Sequence, residues 1–246
     1  MTKKTPEIRL QGYDSLWFEW LSQMYGMPVA TMGRMTGMRS ERLYNMVRRW
    51  YQTENCHVAR LDSGSPGSWR RSFFDAPDAK PNGPLWVWPT RQLAWGMLDF
   101  DPGDWEPKTT TAAHLTAVGH LRYALTGIDT DPDVWTSERI LRRRIDEGFH
   151  LHDAWMLDPE DYDKIWGIEV ELSYKYGAGR LAKTIKAALE SAEHHDLAGV
   201  QYFVRGADLR RAVQRAANYL GRERGLDLSN LRILDLDAVL VGQEVA

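Results

Sequence analysis

The sequence contains little that would suit a secreted, disulfide-rich or membrane protein. Cys56 is its single cysteine, which excludes an intrachain disulfide and any zinc site built from several cysteines. No apolar run approaches the roughly 18 residues that a membrane span needs. The first residues are polar and charged and lack the apolar segment of a signal peptide. We therefore expect a cytoplasmic protein that does not bind membranes.

A net positive charge, common in nucleic-acid-binding proteins, is also missing, since the chain carries −3 overall. The charge is nevertheless unevenly distributed. Residues 1–72 hold eleven Lys and Arg against six Asp and Glu, a balance of +5 that leaves −8 for residues 73–246. Because local charge governs attraction to phosphates, the N-terminal part is the candidate for DNA contact. The acidic remainder suits a site whose carboxylates bind a metal ion.

The first hundred residues predict four helices and two strands. Asp14 or Ser15 is placed to cap the first helix. Gly37 provides the turn between the second and third helices, and the apolar residues of the third recur at helical spacing. The predicted helices span 13–24, 28–35, 41–52 and 91–98, and the predicted strands span 57–62 and 85–89.

This order of elements is that of a winged helix-turn-helix DNA-binding domain, which we predict for residues 1–100. The stretch 30–38 resembles the two-helix core of that family, with a small residue inside, glycine at the turn and an apolar residue after it. Basic and polar side chains follow on the third helix and in the loop between the strands. The predicted DNA-binding residues are Arg39, Arg42, Asn45, Arg48, Arg49, Arg70 and Arg71. The alternative is a helical bundle with a solvated basic face.

Residues 101–108 predict a linker, because two prolines, a glycine and polar side chains interrupt the hydrophobic pattern. Beyond it, residues 109–246 predict an α/β domain with a mixed sheet, since helices and strands alternate along the chain. The predicted helices span 110–125, 132–147, 179–194 and 207–223, and the predicted strands span 149–157, 165–175, 199–204 and 231–236.

Glu169 and Glu171 lie two residues apart in a predicted strand, so both carboxylates belong to one face while the alternate apolar residues face a core. Such neighbours repel unless a cation, a proton or a basic group lies between them. Asp153 lies in the preceding predicted strand, and Lys175 follows on the face of the glutamates. Carboxylates that hold Mg²⁺ or Mn²⁺, with a lysine to orient the nucleophile, can hydrolyse a phosphodiester. The alternative is a polar sheet face without a metal.

These residues resemble the PD-(D/E)xK nuclease superfamily, whose restriction-endonuclease-like core carries an Asp and then Glu-x-Lys on neighbouring strands. Asp153 matches the first acid and Glu169 the second, while Glu171 stands where the lysine is expected. The resemblance implies that Asp153, Glu169 and Glu171 bind the metal. It also implies that Lys175 or Lys183 replaces the missing lysine as a catalytic residue.

Two further features near this site have ordinary structural interpretations. Glu138 could match the helix acid of some nuclease branches, but a surface pair with Arg142, four residues on, is favoured. His150 and His152 flank Asp153 at a spacing of two and could form a transition-metal site with it. Such histidines are more often polar strand residues or contacts to a phosphate.

A further resemblance rests on the stretches 135–139, 152–154, 169–175 and 180–183, together with His114. The two halves together resemble the actinobacterial replication-relaxation family of plasmids and phages, which joins a winged helix to a PD-(D/E)xK-like domain. The resemblance implies a DNA-binding protein of a mobile element that acts in replication, relaxation or transfer and, if catalytic, is a magnesium-dependent endonuclease. The alternative is a non-catalytic replication accessory or transcriptional regulator whose second domain serves dimerisation. The expected partner is double-stranded DNA, with a homodimer left open.

Overall fold

The computed structural model describes residues 10–61, 69–70, 83–174 and 178–241, with the backbone alone for Trp69, Arg70 and Ala178. The chain forms two compact units, residues 1–119 and 120–246. Both units contain helices and a sheet, so the chain is a mixed α/β protein as expected. Within the described residues, no helix combines the length and the apolar content that crossing a membrane requires.

The first unit combines helices with an antiparallel sheet. Its helices are α1 (Gly12–Gln23), α2 (Val29–Thr36), α3 (Ser40–Gln52) and α4 (Arg91–Leu98), and its strands are β1 (Met27–Pro28), β2 (Cys56–Leu61), β3 (Trp69–Arg70) and β4 (Leu85–Pro89). The strands pair in the order β1-β4-β2-β3, and every pair is antiparallel. The helix α5 (Thr109–Thr126) begins in this unit, and the division between the units falls inside it. The predicted helices and strands of this region are present, with ends shifted by at most one residue.

Tryptophan side chains form much of the core of the first unit. Trp17 and Trp20 of α1 are fully buried, and their rings meet edge to face with centroids 5.6 Å apart. Trp86 and Trp88 of β4 belong to a second buried cluster with side chains of β2 and α5. Each buried aromatic ring removes roughly 150–250 Å² from water, so these residues supply a large part of the hydrophobic stabilisation.

The start of α1 differs from its prediction. Gln11 is the N-cap, so Asp14 occupies the third helical position. The Asp14 carboxylate accepts a hydrogen bond of 2.7 Å from the Gln11 N–H and thereby forms a capping box. Ser15 donates its hydroxyl to the Gly12 carbonyl over 2.7 Å. The prediction that Asp14 or Ser15 is the cap is wrong, because in a capping box the acid lies three residues inside the helix.

The second unit is built on a five-stranded mixed sheet. Its strands are β5 (Trp135–Ser137), β6 (Ala154–Asp158), β7 (Asp161–Glu171), β8 (Gly199–Val204) and β9 (Leu231–Asp235), and its helices are α6 (Glu138–Leu141), α7 (Ala178–His194), α8 (Ala207–Arg224) and α9 (Leu236–Val241). The sheet order is β5-β6-β7-β8-β9. The first three strands pair antiparallel, whereas β8 and β9 each follow a crossover helix and are parallel to their neighbours.

Three predicted elements of the second unit are wrong in type or extent. The helix expected over 132–147 is instead the strand β5, the short helix α6 and turns. All residues of β5 are buried and pair with β6, a setting in which aromatic and β-branched side chains favour a strand over a helix. The strands expected over 149–157 and 165–175 are displaced, since β6 begins at Ala154 and β7 ends at Glu171. Apolar runs indicated these strands without defining their ends.

β7 is a central strand that is covered on both faces, since residues 166–171 are all buried. Its pairing with β8 places Glu169 beside Tyr202 and Glu171 beside Val204. Tyr202 and Val204 belong to the core that β8 forms with α7 and α8. Because paired residues of neighbouring strands share a face, the two glutamates lie on the helix-covered face. The expectation that only the alternate apolar residues face a core is therefore wrong.

Candidate functional site

α3 presents an apolar face to the first unit and a basic face to solvent. The buried residues are Leu43, Met46, Val47 and Trp50, and the exposed residues predicted to bind DNA are Arg39, Arg42, Asn45 and Arg48. The two sets alternate at helical spacing, which makes the helix amphipathic. We call the exposed set, Arg39, Arg42, Asn45 and Arg48, the α3 basic face. Its guanidinium groups are suited to hydrogen bonding with phosphate oxygens.

Two glycines determine how α2 approaches α3. Gly37 ends α2 with φ at +63°, a left-handed conformation that favours glycine. A Cβ on Gly33 would lie 3.3 Å from Leu43 Cδ2, so the missing side chain allows the two helices to pack closely. Ala30 is exposed. The small inward residue expected in this stretch is therefore Gly33, and it helps to orient the α3 basic face.

Arg49 is directed toward α1 and does not join the α3 basic face. Its Nη2 lies 2.6 Å from Asp14 Oδ1, and its Nε lies 3.2 Å from Asp14 Oδ2. The Trp50 Nε1–H donates to the same Oδ1 over 2.8 Å. Asp14 is 1% exposed, and a buried carboxylate is costly unless it is paired and hydrogen-bonded. We therefore assign Arg49 to joining α1 and α3, whereas the sequence predicted a DNA contact.

The loop arginines predicted to touch DNA are at the limit of the described chain. Arg70 belongs to β3, where its backbone pairs with Arg60 of β2. The side chain of Arg70 and the whole of Arg71 lie outside the described residues. The candidate DNA-binding surface of the first unit therefore consists of the α3 basic face.

The carboxylates predicted in the second unit lie where β6 begins beside β7. Glu169 and Glu171 are 7% and 5% exposed. Asp153 is half-buried directly before β6, and its Oδ2 accepts a hydrogen bond of 2.7 Å from the Val170 N–H. This bond holds Asp153 against the β7 backbone between the two glutamates. We call Asp153, Glu169 and Glu171 the carboxylate cluster.

His150 is a polar neighbour of the carboxylate cluster. Its Nε2 lies 2.7 Å from Glu169 Oε1, with His150 half-buried. The Ser191 hydroxyl of α7 donates to the His150 carbonyl over 2.7 Å and fixes the backbone at this position. The sequence placed His150 near Asp153, but its pairing with Glu169 depends on the β6–β7 register and could not be read from spacing.

His152 is fully buried, and both of its ring nitrogens have partners. Its Nδ1 accepts a hydrogen bond of 3.1 Å from Trp155 Nε1–H, so the proton of the neutral ring is on Nε2, 3.1 Å from the Ala188 carbonyl. Burial, with a smaller effect of His150, lowers the pKa of His152 to about 4. The ring lies against Gly167, where a Cβ would be 2.9 Å from it. The alternative of a transition-metal site formed by His150, His152 and Asp153 is therefore wrong, because neither nitrogen of His152 is available.

Tyr202 is a site residue that the sequence did not indicate. Its hydroxyl is buried and has no hydrogen-bond partner in the described part of the chain. Burial raises the pKa of Tyr202 well above its usual value, and the charges of Glu169, Glu171 and Asp153 raise it further. The phenol is therefore close enough to the carboxylate cluster to sense all three charges. An apolar run such as β8 gave no sign of this, since tyrosine is common in strands.

The lysines predicted to complete the site have different positions. Lys175 lies outside the described residues. Lys183 is exposed on α7, whereas Leu181 and Ile185 are buried against the sheet. The ammonium group of Lys183 thus points toward solvent in this conformation, and the group found beside Glu169 is His150.

Glu138 has the ordinary role that was favoured for it. Its carboxylate forms an ion pair with Arg142, four residues further along, so the predicted surface pair is confirmed. Its backbone N–H donates to the Asp153 carbonyl over 3.1 Å. Glu138 therefore supports the position of Asp153 through its backbone.

The carboxylate cluster has the oxygen donors that Mg²⁺ or Mn²⁺ prefers, so its chemistry fits the predicted ion. Its geometry is less compact than a preformed metal site. Across the described residues, only Asp146, His194 and His195 form a group of three with ligand atoms all within 4.8 Å of one another. Binding of one ion by Asp153, Glu169 and Glu171 therefore requires side-chain movement.

Comparison with known proteins does not assign the chain. No known family, no curated protein and no solved structure matches it. The resemblance to the replication-relaxation family therefore stays a prediction. Function has to be inferred from the α3 basic face and the carboxylate cluster.

Proposed function

We propose that this chain is a DNA-binding protein whose α3 basic face contacts double-stranded DNA. One observation carries this proposal: α3 is anchored by four buried apolar residues while Arg42, Asn45 and Arg48 project from its other side. Arginine and asparagine donate hydrogen bonds to phosphates and to base edges. A major groove about 12 Å wide admits a helix of this kind.

A winged helix-turn-helix is the fold that we propose for the first unit. The order of elements supports it: α1, the short strand β1, α2, the glycine turn, α3, and then β2 and β4, which pair with each other. β1, which lies between α1 and α2 in the chain, pairs with β4 and so connects the helices to the sheet. In helix-turn-helix proteins the helix after the turn enters the major groove, and α3 has that position in the chain.

For the second unit we propose a restriction-endonuclease-like fold of the PD-(D/E)xK type. Three antiparallel strands followed by α7 and the parallel strand β8 support this proposal. Asp153 lies directly before β6 and Glu169 lies in the neighbouring strand β7, so the two acids have nearly the placement of that pattern. Glu171 takes the place of the lysine.

If the second unit cleaves DNA, the carboxylate cluster would hold Mg²⁺ or Mn²⁺, an ion that stabilises charge on the phosphodiester and activates water. His150 donates its Nε2–H to Glu169 over 2.7 Å, so its Nδ1 would be the nitrogen that accepts the proton that the attacking water loses. Tyr202 would limit the entry of water beside Glu169, because it shares that face of the sheet and belongs to the core there.

The alternative is a second unit that binds without cleaving. The burial of Glu169 and Glu171 favours this alternative, as do the hydrogen bonds that occupy Asp153 and Glu169 within the chain. The protein would then be a replication accessory or a transcriptional regulator. In either case we propose, from the family resemblance, a role in the replication, relaxation or transfer of plasmid or phage DNA.

DNA binding can be tested by fluorescence anisotropy with a labelled random-sequence duplex at low salt. We expect Arg42→Ala/Arg48→Ala to bind at least tenfold more weakly than wild type, because two phosphate or base contacts are lost. The matched control is Arg222→Ala/Arg224→Ala, which removes the same charge from exposed positions of α8. Equal weakening by both pairs would contradict a specific role of α3.

Cleavage can be tested separately by incubating supercoiled plasmid with the protein in Mg²⁺ or Mn²⁺. Metal-dependent nicking that is lost in Glu169→Gln and Asp153→Asn, but kept in the exposed α7 control Glu190→Gln, would support the endonuclease. Absence of nicking by a wild-type protein that still binds the duplex would support the non-catalytic alternative.

A further inference from the structure

The second unit has a second cluster of polar side chains, which lies at the end of α7. His194 is the last residue of α7, and His195 follows it, with the two imidazole centroids 4.8 Å apart. Asp146, in the turn after α6, reaches the same place, and its Oδ2 lies 2.9 Å from His194 Nε2. The ligand atoms of these three residues all lie within 4.8 Å of one another. None of the three belongs to the carboxylate cluster.

The histidines are held in position by aromatic neighbours. The Phe149 ring stacks on His194 at a centroid distance of 3.7 Å and an angle of 12°. His195 is packed between Phe149, at 5.7 Å, and Trp155, at 5.2 Å. Asp196 has φ at +56°, a left-handed conformation that ends the helical path directly after His195. Both imidazoles are therefore oriented by packing before any ligand binds.

One imidazole nitrogen of this cluster has no hydrogen-bond partner in the described part of the chain. His195 Nε2 is buried, and the described chain supplies no hydrogen-bond partner for it. A buried imidazole nitrogen without a hydrogen-bond partner is uncommon, because burial removes its hydrogen bond to water and no other bond replaces it. Asp146 and His194, by contrast, are exposed and reachable from solvent.

We propose that Asp146, His194 and His195 form a binding site for a divalent transition-metal ion of the zinc class. Two imidazoles and one carboxylate are a donor set typical of Zn²⁺, whereas Mg²⁺ prefers oxygen ligands alone. Three protein ligands leave the fourth tetrahedral position to water. By binding ligands from both segments, the ion would connect the turn after α6 to the end of α7. This site is independent of the proposed DNA binding.

The test uses the tag-free full chain, stripped with EDTA, dialysed and titrated with Zn²⁺ by calorimetry. We expect one ion per chain from this site, with affinity reduced at least tenfold in His194→Ala and in Asp146→Asn. The matched controls are His57→Ala, which removes an exposed histidine of β2, and Glu190→Gln, which removes an exposed carboxylate of α7 outside both proposed metal sites. Both controls are expected to bind Zn²⁺ like wild type.

The melting temperature provides a second readout, since an ion that binds only the folded state raises it. Zn²⁺ should raise the melting temperature of wild type and of both controls, and should raise it less in His194→Ala. His194 and Asp146 are exposed, so the metal-free variants should melt close to wild type. Equal Zn²⁺ affinity in wild type, His194→Ala and Asp146→Asn, or no saturable binding by wild type, would overturn the proposal.

Discussion

The His150 imidazole and the Glu169 carboxylate are joined across two segments of the second unit, with 2.7 Å between Nε2 and Oε1. Glu169 is almost fully buried in the central strand β7, while His150 comes from the segment before β6. A buried carboxylate needs donors, and His150 is one of them. This pair links the stability of the second unit to the site that we propose for phosphodiester chemistry.

Replacing His150 should therefore destabilise the protein without affecting DNA binding by α3. We expect His150→Ala to lower the free energy of unfolding by about 1–3 kcal/mol, the usual cost of removing one partner of a buried polar group. Urea denaturation measures this change, with His57→Ala as the control that should have little effect. An unchanged unfolding free energy in His150→Ala would show that Glu169 does not depend on this partner.

Arg48 and Arg49 should have opposite roles although they are neighbours in α3. Arg49→Ala leaves the carboxylate of Asp14 buried without its charged partner, so we expect a loss of about 3–5 kcal/mol in unfolding free energy. Arg48→Ala removes an exposed side chain and should change stability by less than about 0.5 kcal/mol while weakening DNA binding. Chemical denaturation and anisotropy on both variants separate the two roles. A stable Arg49→Ala with weakened DNA binding would contradict the assignment.

His152 should make stability depend on pH. Its pKa is about 4 in the folded chain against an ordinary value of 6.5, so the unfolded chain binds the proton more readily. The contribution of neutral His152 to the free energy of unfolding is fully present above pH 6.5 and is lost as the pH falls from 6.5 to about 4. The complete loss amounts to about 3 kcal/mol. Unfolding free energies measured in EDTA across this range should fall more steeply in wild type than in His152→Gln. Parallel curves would contradict a buried neutral His152.

Tyr202→Phe should leave the fold intact or stabilise it. The ring packs in the core, while the hydroxyl is buried with no partner in the part of the chain that the structure describes. Removing such a hydroxyl recovers a desolvation cost of about 1 kcal/mol or more. Thermal or urea unfolding measures the change. A clear loss of stability would show that the hydroxyl makes a hydrogen bond in solution, for instance through an ordered water.

The sequence was most informative where local rules dominate. The apolar spacing of α3, the glycine turn at Gly37 and the apolar run of β8 predicted those elements closely, because helix and strand periods are local properties. The prediction of a helix over 132–147 was wrong, because β5 is a strand only through its pairing with β6. Tertiary pairing of this kind overrides local propensity.

The candidate sites could be predicted only in part for the same reason. Residue types suggested the carboxylate cluster, but the burial of Glu169 follows from helices that cover β7 and from its pairing with Tyr202. The partnership of Arg49 with Asp14 joins residues 35 positions apart, and spacing along α3 could not distinguish Arg49 from Arg48. Long-range packing decides which charged residue serves the fold and which faces solvent.

DNA binding by the α3 basic face is tested most directly by its salt dependence. Each phosphate contact contributes a slope of roughly −0.9 to a plot of log K against log salt concentration for duplex DNA. We predict that Arg42→Ala/Arg48→Ala binds more weakly than wild type with a slope shallower by roughly 2, while Arg222→Ala/Arg224→Ala keeps the wild-type slope. Identical affinity and slope in wild type and the α3 variant would contradict the proposed DNA-binding surface.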